Sequence, residues 1–218
     1  YRHYKTNSAD SDSWSLLFIT ICRKMEKEMI TSTANQQIKN LILLNKKAKA
    51  RNEQGVFVVE GRKMFQEVPK EWCRQVYVSE SFLEERGELL KDVNYEVVSD
   101  SVFKTVSDTQ TPQGILCIVK KPEYELTDLL KGDKTHLLIL ESIQDPGNLG
   151  TMLRTGEGAG ISGVIMNQTT VDLFNPKTIR STMGSIYRMP FYISGNLPET
   201  VLQLKEAGVR TYAAHLKG

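Results

Sequence analysis

Residues His136 to Gly160 leave this chain few choices of fold. They open on Leu137-Leu138-Ile139-Leu140, an apolar run of strand length and too short for a helix. Asp145-Pro146-Gly147-Asn148 follows, a cluster of turn-forming residues. A helical pattern through Met152, Leu153 and Arg154 then runs to Gly158 and Gly160. A strand that hands over through a polar turn to a helix belongs in an α/β sheet, and ligands bind such sheets at the carboxyl ends of the strands. Asn148 and Arg154 stand six residues apart there and are expected to face the crevice.

The rest of the chain repeats this alternation. Thr31-Ser32-Thr33 are N-cap candidates for a helix with Ile38, Leu41, Ile42 and Leu44 on its apolar side. Strands are expected at Val56–Val59, Gln75–Ser79, Tyr95–Ser99 and Ile115–Val119, with helices at Phe82–Lys91 and Asp100–Val106 and a loop at Thr109–Gly114. Such alternation predicts a mainly parallel, helix-covered sheet. The segment from Lys120 to about Lys134 is polar and marks a linker. Beyond it come strand Gly163–Asn167, an Asn175-Pro176 helix start, helix Lys177–Ser185, strand Arg188–Ile193, helix Pro198–Ala207 and strand Val209–His215. The expected division is a tail over 1–24, a first domain over 25–120, a linker over 121–134 and a second domain over 135–218.

The 218 residues carry a net charge of only +2, so any nucleic-acid contact must come from a local basic patch. Lys46, Lys47 and Arg51 close the first helix, and Arg62 follows the next strand. The helix-end cations either complement the macrodipole or touch an RNA backbone. Cys22, Cys73 and Cys117 form no CxxC or Cys/His cluster, which argues for a reducing, cytoplasmic setting without a disulfide framework or a metal site. Leu16–Cys22 is too short to span a bilayer, so no membrane partner is expected. Gly158-Ala159-Gly160-Ile161-Ser162-Gly163 spells GxGxxG, but it follows a helix and opens a strand, the reverse of a dinucleotide site.

Two longer motifs resemble the SpoU (TrmH) family of RNA ribose 2′-O-methyltransferases in the SPOUT superfamily. They are Asp145–Thr155 and Asn175–Ser185, the second continuing to Arg188-Met189-Pro190. Val58–Arg62 and Thr109–Gly114 are similar to the family's RNA-binding extension. The resemblance implies an α/β fold: a small RNA-binding domain joined to a SPOUT-type α/β-knot methyltransferase domain. It implies S-adenosyl-L-methionine (AdoMet) as cofactor, RNA as partner, rRNA rather than tRNA as substrate, and a homodimer for the complete protein. It assigns Arg154 to the 2′-hydroxyl, Asn148 to orienting it, and Ala214, His215 and Leu216 to the adenosine. The family pattern continues with a Gly-x-Glu-x-x-Gly loop and a Ser-x-Asn segment. The chain reaches Gly218 without that loop and the segment that follows it, so a fragment cut before the knot is complete is expected.

In-line methyl transfer to a ribose oxygen depends mainly on positioning, plus removal of one proton. Arg154 either serves as the base, helped by an RNA phosphate, or stabilises the developing alkoxide as a cation. Phosphate contacts from Lys46, Lys47, Arg51 and Arg62 would position the RNA without specifying sequence. Arg180 either binds a phosphate near the site or forms a salt bridge. An RNA-binding relative without a cofactor loop is the competing reading.

Overall fold

The computed structural model describes residues 28–132 and 134–214; the expected tail and the assigned residues His215 and Leu216 lie outside them. The first half runs α1 (Gln36–Lys46), α2 (Ala48–Gln54), β1 (Val56–Glu60), α3 (Arg62–Gln66), β2 (Cys73–Ser79), α4 (Glu80–Arg86), β3 (Tyr95–Val98), α5 (Asp100–Val106) and β4 (Ile115–Lys120). The second half runs β5 (Leu137–Leu140), α6 (Pro146–Gly158), β6 (Gly163–Asn167), α7 (Pro176–Thr182), β7 (Phe191–Ser194) and α8 (Leu197–Glu206).

The first sheet has the order β1-β4-β2-β3, and only the β2–β3 pairing is parallel. The mainly parallel expectation fails because β4 returns through the Ser107–Gly114 loop and inserts antiparallel between β1 and β2. The first helix starts at Gln36, where the Asn35 side chain accepts from Gln37 N, and not at Thr31–Thr33. It breaks at Lys47, whose backbone is extended.

The second sheet, β5-β6-β7, is parallel throughout, as its short apolar strands predict. Helix α7 stops at Thr182 because Met183 and Gly184 both take positive φ. A 3-10 turn over Ser185–Tyr187 then precedes β7. Val209–Ala214, expected as a strand, forms no ladder among the described residues. Its residues from Arg210 onward are largely exposed, so little burial favours extended pairing.

Period-2 patterning in the first sheet serves two cores. Val58, Tyr77, Leu116 and Ile118 face Ile38, Leu41, Leu44 and Phe103. Phe57, Val59, Val76, Val78, Ile115, Cys117 and Val119 turn the other way and pack with Leu149, Leu153, Phe174, Ile179, Ile186 and Phe191 of the second half. At about 1.5–3 kcal/mol for each large side chain buried, this shared core outweighs any single polar contact between the halves. The Phe57 and Phe174 rings lie 5.0 Å apart, and the Tyr187 hydroxyl donates to Met64 O at 3.2 Å.

The linker is part of the packing as well. Tyr124 meets Phe191 edge-on at 5.4 Å, and Leu129 is buried against Ile165 and Leu204. Glu125 and Asp128 cap a 3-10 turn over Leu126–Leu130 reciprocally.

Candidate active site

The loops that leave β5 and β6 meet at the carboxyl ends of these strands. Ser142 leaves β5 with φ +56, a conformation that costs a non-glycine residue energy unless neighbours hold it. Asn167, at the end of β6, does so: its Oδ1 accepts from Ser142 N at 2.9 Å. The Ser142 hydroxyl also meets that of Thr169 at 2.7 Å, and Gln144 Nε2 donates to the Ser142 and Thr169 carbonyls. This lattice fixes the loop that launches α6. The motif reading missed Ser142, Asn167 and Thr169, since a strand-end asparagine is the only trace they leave in the sequence.

Asp145 caps α6 by accepting from Asn148 N at 2.7 Å, and Pro146 takes the first helical position. That hydrogen bond, with a smaller contribution from Lys177 at 3.5 Å, holds the Asp145 carboxyl below the usual aspartate range. Helix α6 buries Leu149, Gly150, Leu153 and Gly156 on one side. It crosses α7 so closely that a Cβ on Gly150 would lie 2.5 Å from both Ser181 Cβ and Thr178 O. Hence the glycine.

The opposite side faces outward. Asn148 and Arg154 are both exposed. Six residues on one helix separate them by about 9 Å along the axis and about 120° around it. They do not share one face, as their spacing alone suggests; Asn148, Thr151 and Arg154 form a winding i, i+3, i+6 ridge. Arg154 has no hydrogen bond or ion pair among the described residues, so its guanidinium is free to meet a ligand.

The other predicted residues divide sharply. Lys46, Lys47 and Arg62 are exposed, as an RNA contact requires. Arg51 is a correction: it is only 3% exposed, and its guanidinium is committed to Asp172 at 2.5 Å and to Leu44 O. The break at Lys47 leaves carbonyls at the end of α1 unsatisfied, and Arg51 supplies their donor. Arg180 forms the salt bridge of its two readings, with Asp108 of the first half at 2.7 Å. Arg188, unassigned from sequence, joins Glu157 of α6 to Glu67 of the first half.

For the methyl donor the described residues do not by themselves form a nucleoside pocket. Ala214 is exposed at the rim of an open cavity of about 740 Å³ beside the outer edge of β5. Among the described residues no carboxylate lines that cavity, and the one tyrosine there, Tyr212, is 88% exposed. Among the described residues no group of side chains could hold a metal ion.

Residues 135–218 match the SpoU rRNA Methylase family, and residues 35–117 match the MRM3-like substrate binding domain. The chain is 34% identical over 194 residues to the Bacillus subtilis 23S rRNA (guanosine(2553)-2′-O)-methyltransferase RlmP, covering 87% of this chain and 74% of that protein. It is 35% identical over 189 residues to the human mitochondrial rRNA methyltransferase 3, covering 83% of this chain but only 44% of that protein. The AdoMet-bound rRNA methyltransferase from Sinorhizobium meliloti superposes with a TM-score of 0.69 at 26% identity, over 83% of this chain and 69% of that one. With the two long motifs packed against each other and a relative matched over about three quarters of its length, the chain belongs to the SpoU family of RNA methyltransferases.

Proposed function

We propose that this chain transfers a methyl group to a ribose 2′-hydroxyl of rRNA. The enzyme class is the family's, an AdoMet-dependent RNA (ribose-2′-O)-methyltransferase, and the rRNA substrate rests on what its relatives methylate. The observation that carries the reading is Arg154, an exposed guanidinium without a partner among the described residues, on a helix whose other side is locked into the core.

AdoMet supplies an electrophilic methyl group when bound. The chain's own work is at the acceptor oxygen. An exposed guanidinium is a permanent cation and a poor base. Arg154 therefore acts as a charge that lowers the energy of the alkoxide as it forms. Asn148 and Thr151 provide neutral amide and hydroxyl groups along the same ridge to orient the ribose. The Asp145 cap and the Ser142–Asn167 lattice hold that ridge in place. Lys46, Lys47 and Arg62 meet RNA phosphates.

The family resemblance supports a homodimer for the complete protein, with its sites near the interface. Cysteine usage supports a cytoplasmic location.

Replacing Arg154 with alanine in the complete protein tests the assignment. Transfer of label from AdoMet to rRNA should fall about 100- to 1000-fold, the effect of removing one donor to a developing oxyanion. RNA affinity and melting temperature should stay unchanged. Full activity in the variant would overturn the role of Arg154.

A further inference from the structure

The first half carries a second cavity, far from α6 in sequence. It measures about 580 Å³ and opens where Ser79 ends β2, where α4 and α5 begin, and where Gly114 leads into β4. Its shape depends on Gly114: with φ +76, a Cβ there would lie 2.6 Å from Phe82 Cβ and 2.7 Å from Ser79 Oγ. Any other residue would push the Thr109–Gly114 loop off α4 and deform the cavity.

Three cations line it, Arg62, Arg86 and Lys104, against two carboxylates, Glu85 and Asp100. All are exposed, and none has a hydrogen-bonding or ionic partner for its side chain among the described residues. That sets Arg62 and Arg86 apart from Arg51, Arg180 and Arg188, each tied to a carboxylate that joins the two halves.

Two groups suited to a base edge share the cavity. Asp100 accepts from both the amide and the hydroxyl of Ser81, at 3.2 and 2.8 Å. These bonds hold its carboxyl below the usual range, so it stays an acceptor at neutral pH. Gln113 accepts from Arg62 N through Oε1 at 2.9 Å, and its amide NH2 has no partner among the described residues. The buried Phe82 and Phe103 supply apolar wall.

We propose that this cavity takes one unpaired nucleotide of the RNA substrate, its phosphates on Arg62, Arg86 and Lys104 and its base edge on Asp100 and Gln113. The proposal rests on the RNA methyltransferase reading and adds where and in what form the RNA is held. The volume lies within the usual 300–1,000 Å³ range of ligand sites and suits one nucleotide. A duplex does not enter such a space, whereas a splayed base of a loop does. The first half thus selects a looped segment, and the ridge of α6 acts on a neighbouring ribose.

The test uses the complete protein and a fluorescein-labelled rRNA fragment containing the methylated site. Arg86→Ala with Lys104→Ala should weaken binding at least about tenfold and reduce the salt slope by about 1.4, the value for two single-strand phosphate contacts. A charge-matched control outside the cavity, Arg74→Ala with Lys91→Ala, should bind within twofold of the native protein. With 4-thiouridine in the fragment, crosslinks should map to peptides 79–86 and 100–104, and excess 4-thio-UMP should not displace the RNA. Equal losses in both double variants, or crosslinks only elsewhere, overturn the proposal while leaving the methyltransferase reading intact. Crosslinking of free 4-thio-UMP with RNA affinity unchanged in the cavity variant would assign the site to a free nucleotide and also overturn it. Failure of the native protein to bind the fragment at all would sink both readings.

Discussion

Arg51 of α2 and Asp172, which precedes α7, meet as a partly buried ion pair across the two halves of the chain, with Arg51 Nε and Nη2 both donating to Asp172 Oδ2. The same guanidinium donates to Leu44 O at 2.5 Å. One side chain thereby caps a broken helix and bolts the substrate-binding half to the catalytic half.

Arg51→Ala leaves a partly buried carboxylate without its cation and the end of α1 without its donor. Stability should fall by about 3 kcal/mol, read as a lower urea midpoint at unchanged slope. A lysine at position 51 should recover little, because one ammonium cannot reach both partners. RNA phosphate binding should change only through stability.

Gly150→Ala forces a methyl group against the Thr178 carbonyl and Ser181. Neither end of that contact is a flexible side-chain tip. We expect a loss of about 1–3 kcal/mol and a lower melting temperature. Methyl transfer should fall as well, because α6 must shift and takes Arg154 with it. Gly158→Ala, whose Cβ would meet nothing within 4 Å, is the control and should be neutral or slightly stabilising.

Hydrogen bonds from Arg188 hold the Glu157 carboxyl below the usual glutamate range. A depressed folded-state pKa means stability that is present above the unfolded value, about 4.3, and is lost as pH falls through the folded one. Arg188→Ala should therefore cost up to about 1 kcal/mol at pH 7, given that the Arg188 side chain is 49% exposed. The gap between variant and native protein should close as the pH is lowered from 5 toward 3. Urea midpoints measured across that range check the sign; a gap that widened in acid would refute it.

Glu60 gathers the Ser107 hydroxyl, the Thr109 hydroxyl and Asp108 N onto one carboxylate at the end of β1. Glu60→Ala should release the Ser107–Gly114 loop. Amide exchange at Asp108 and Thr109 should rise, and stability should fall by about 1–3 kcal/mol. KM for RNA should rise more than kcat falls, because that loop borders the substrate-binding cavity and not α6.

Arg154→Lys separates charge from fork geometry. If a permanent cation near the alkoxide is what matters, the variant should keep clearly more activity than Arg154→Ala at the same RNA affinity. Equal loss in the two variants would point to the planar, multi-donor guanidinium.

How much was legible beforehand depended on how local the signal was. The Asp145 cap, Pro146 and the apolar run of β5 sit within a dozen residues of one another, and their structure follows from turn and helix chemistry. The antiparallel insertion of β4 was not legible, because alternating strands and helices are compatible with more than one pairing order. Arg51 looked like any cation at a helix end. Only the break at Lys47 and the approach of Asp172, 121 residues away, turn it inward. Arg188 likewise gains its role from Glu67 and Glu157, which no spacing rule connects to it.

The amino-acid sequence by itself determined that this is an α/β chain of the SpoU type, with Arg154 and Asn148 on a helix that follows the carboxyl end of a short apolar strand. Period, capping and motif order are local properties, encoded along the chain. Tertiary structure decided which cations remain free for RNA and which are consumed in holding the halves together, and it assembled the nucleotide-sized cavity of the first half from four separate segments. Those outcomes depend on distances between residues remote in sequence. Burial and pairing of charges are settled only when the two cores close.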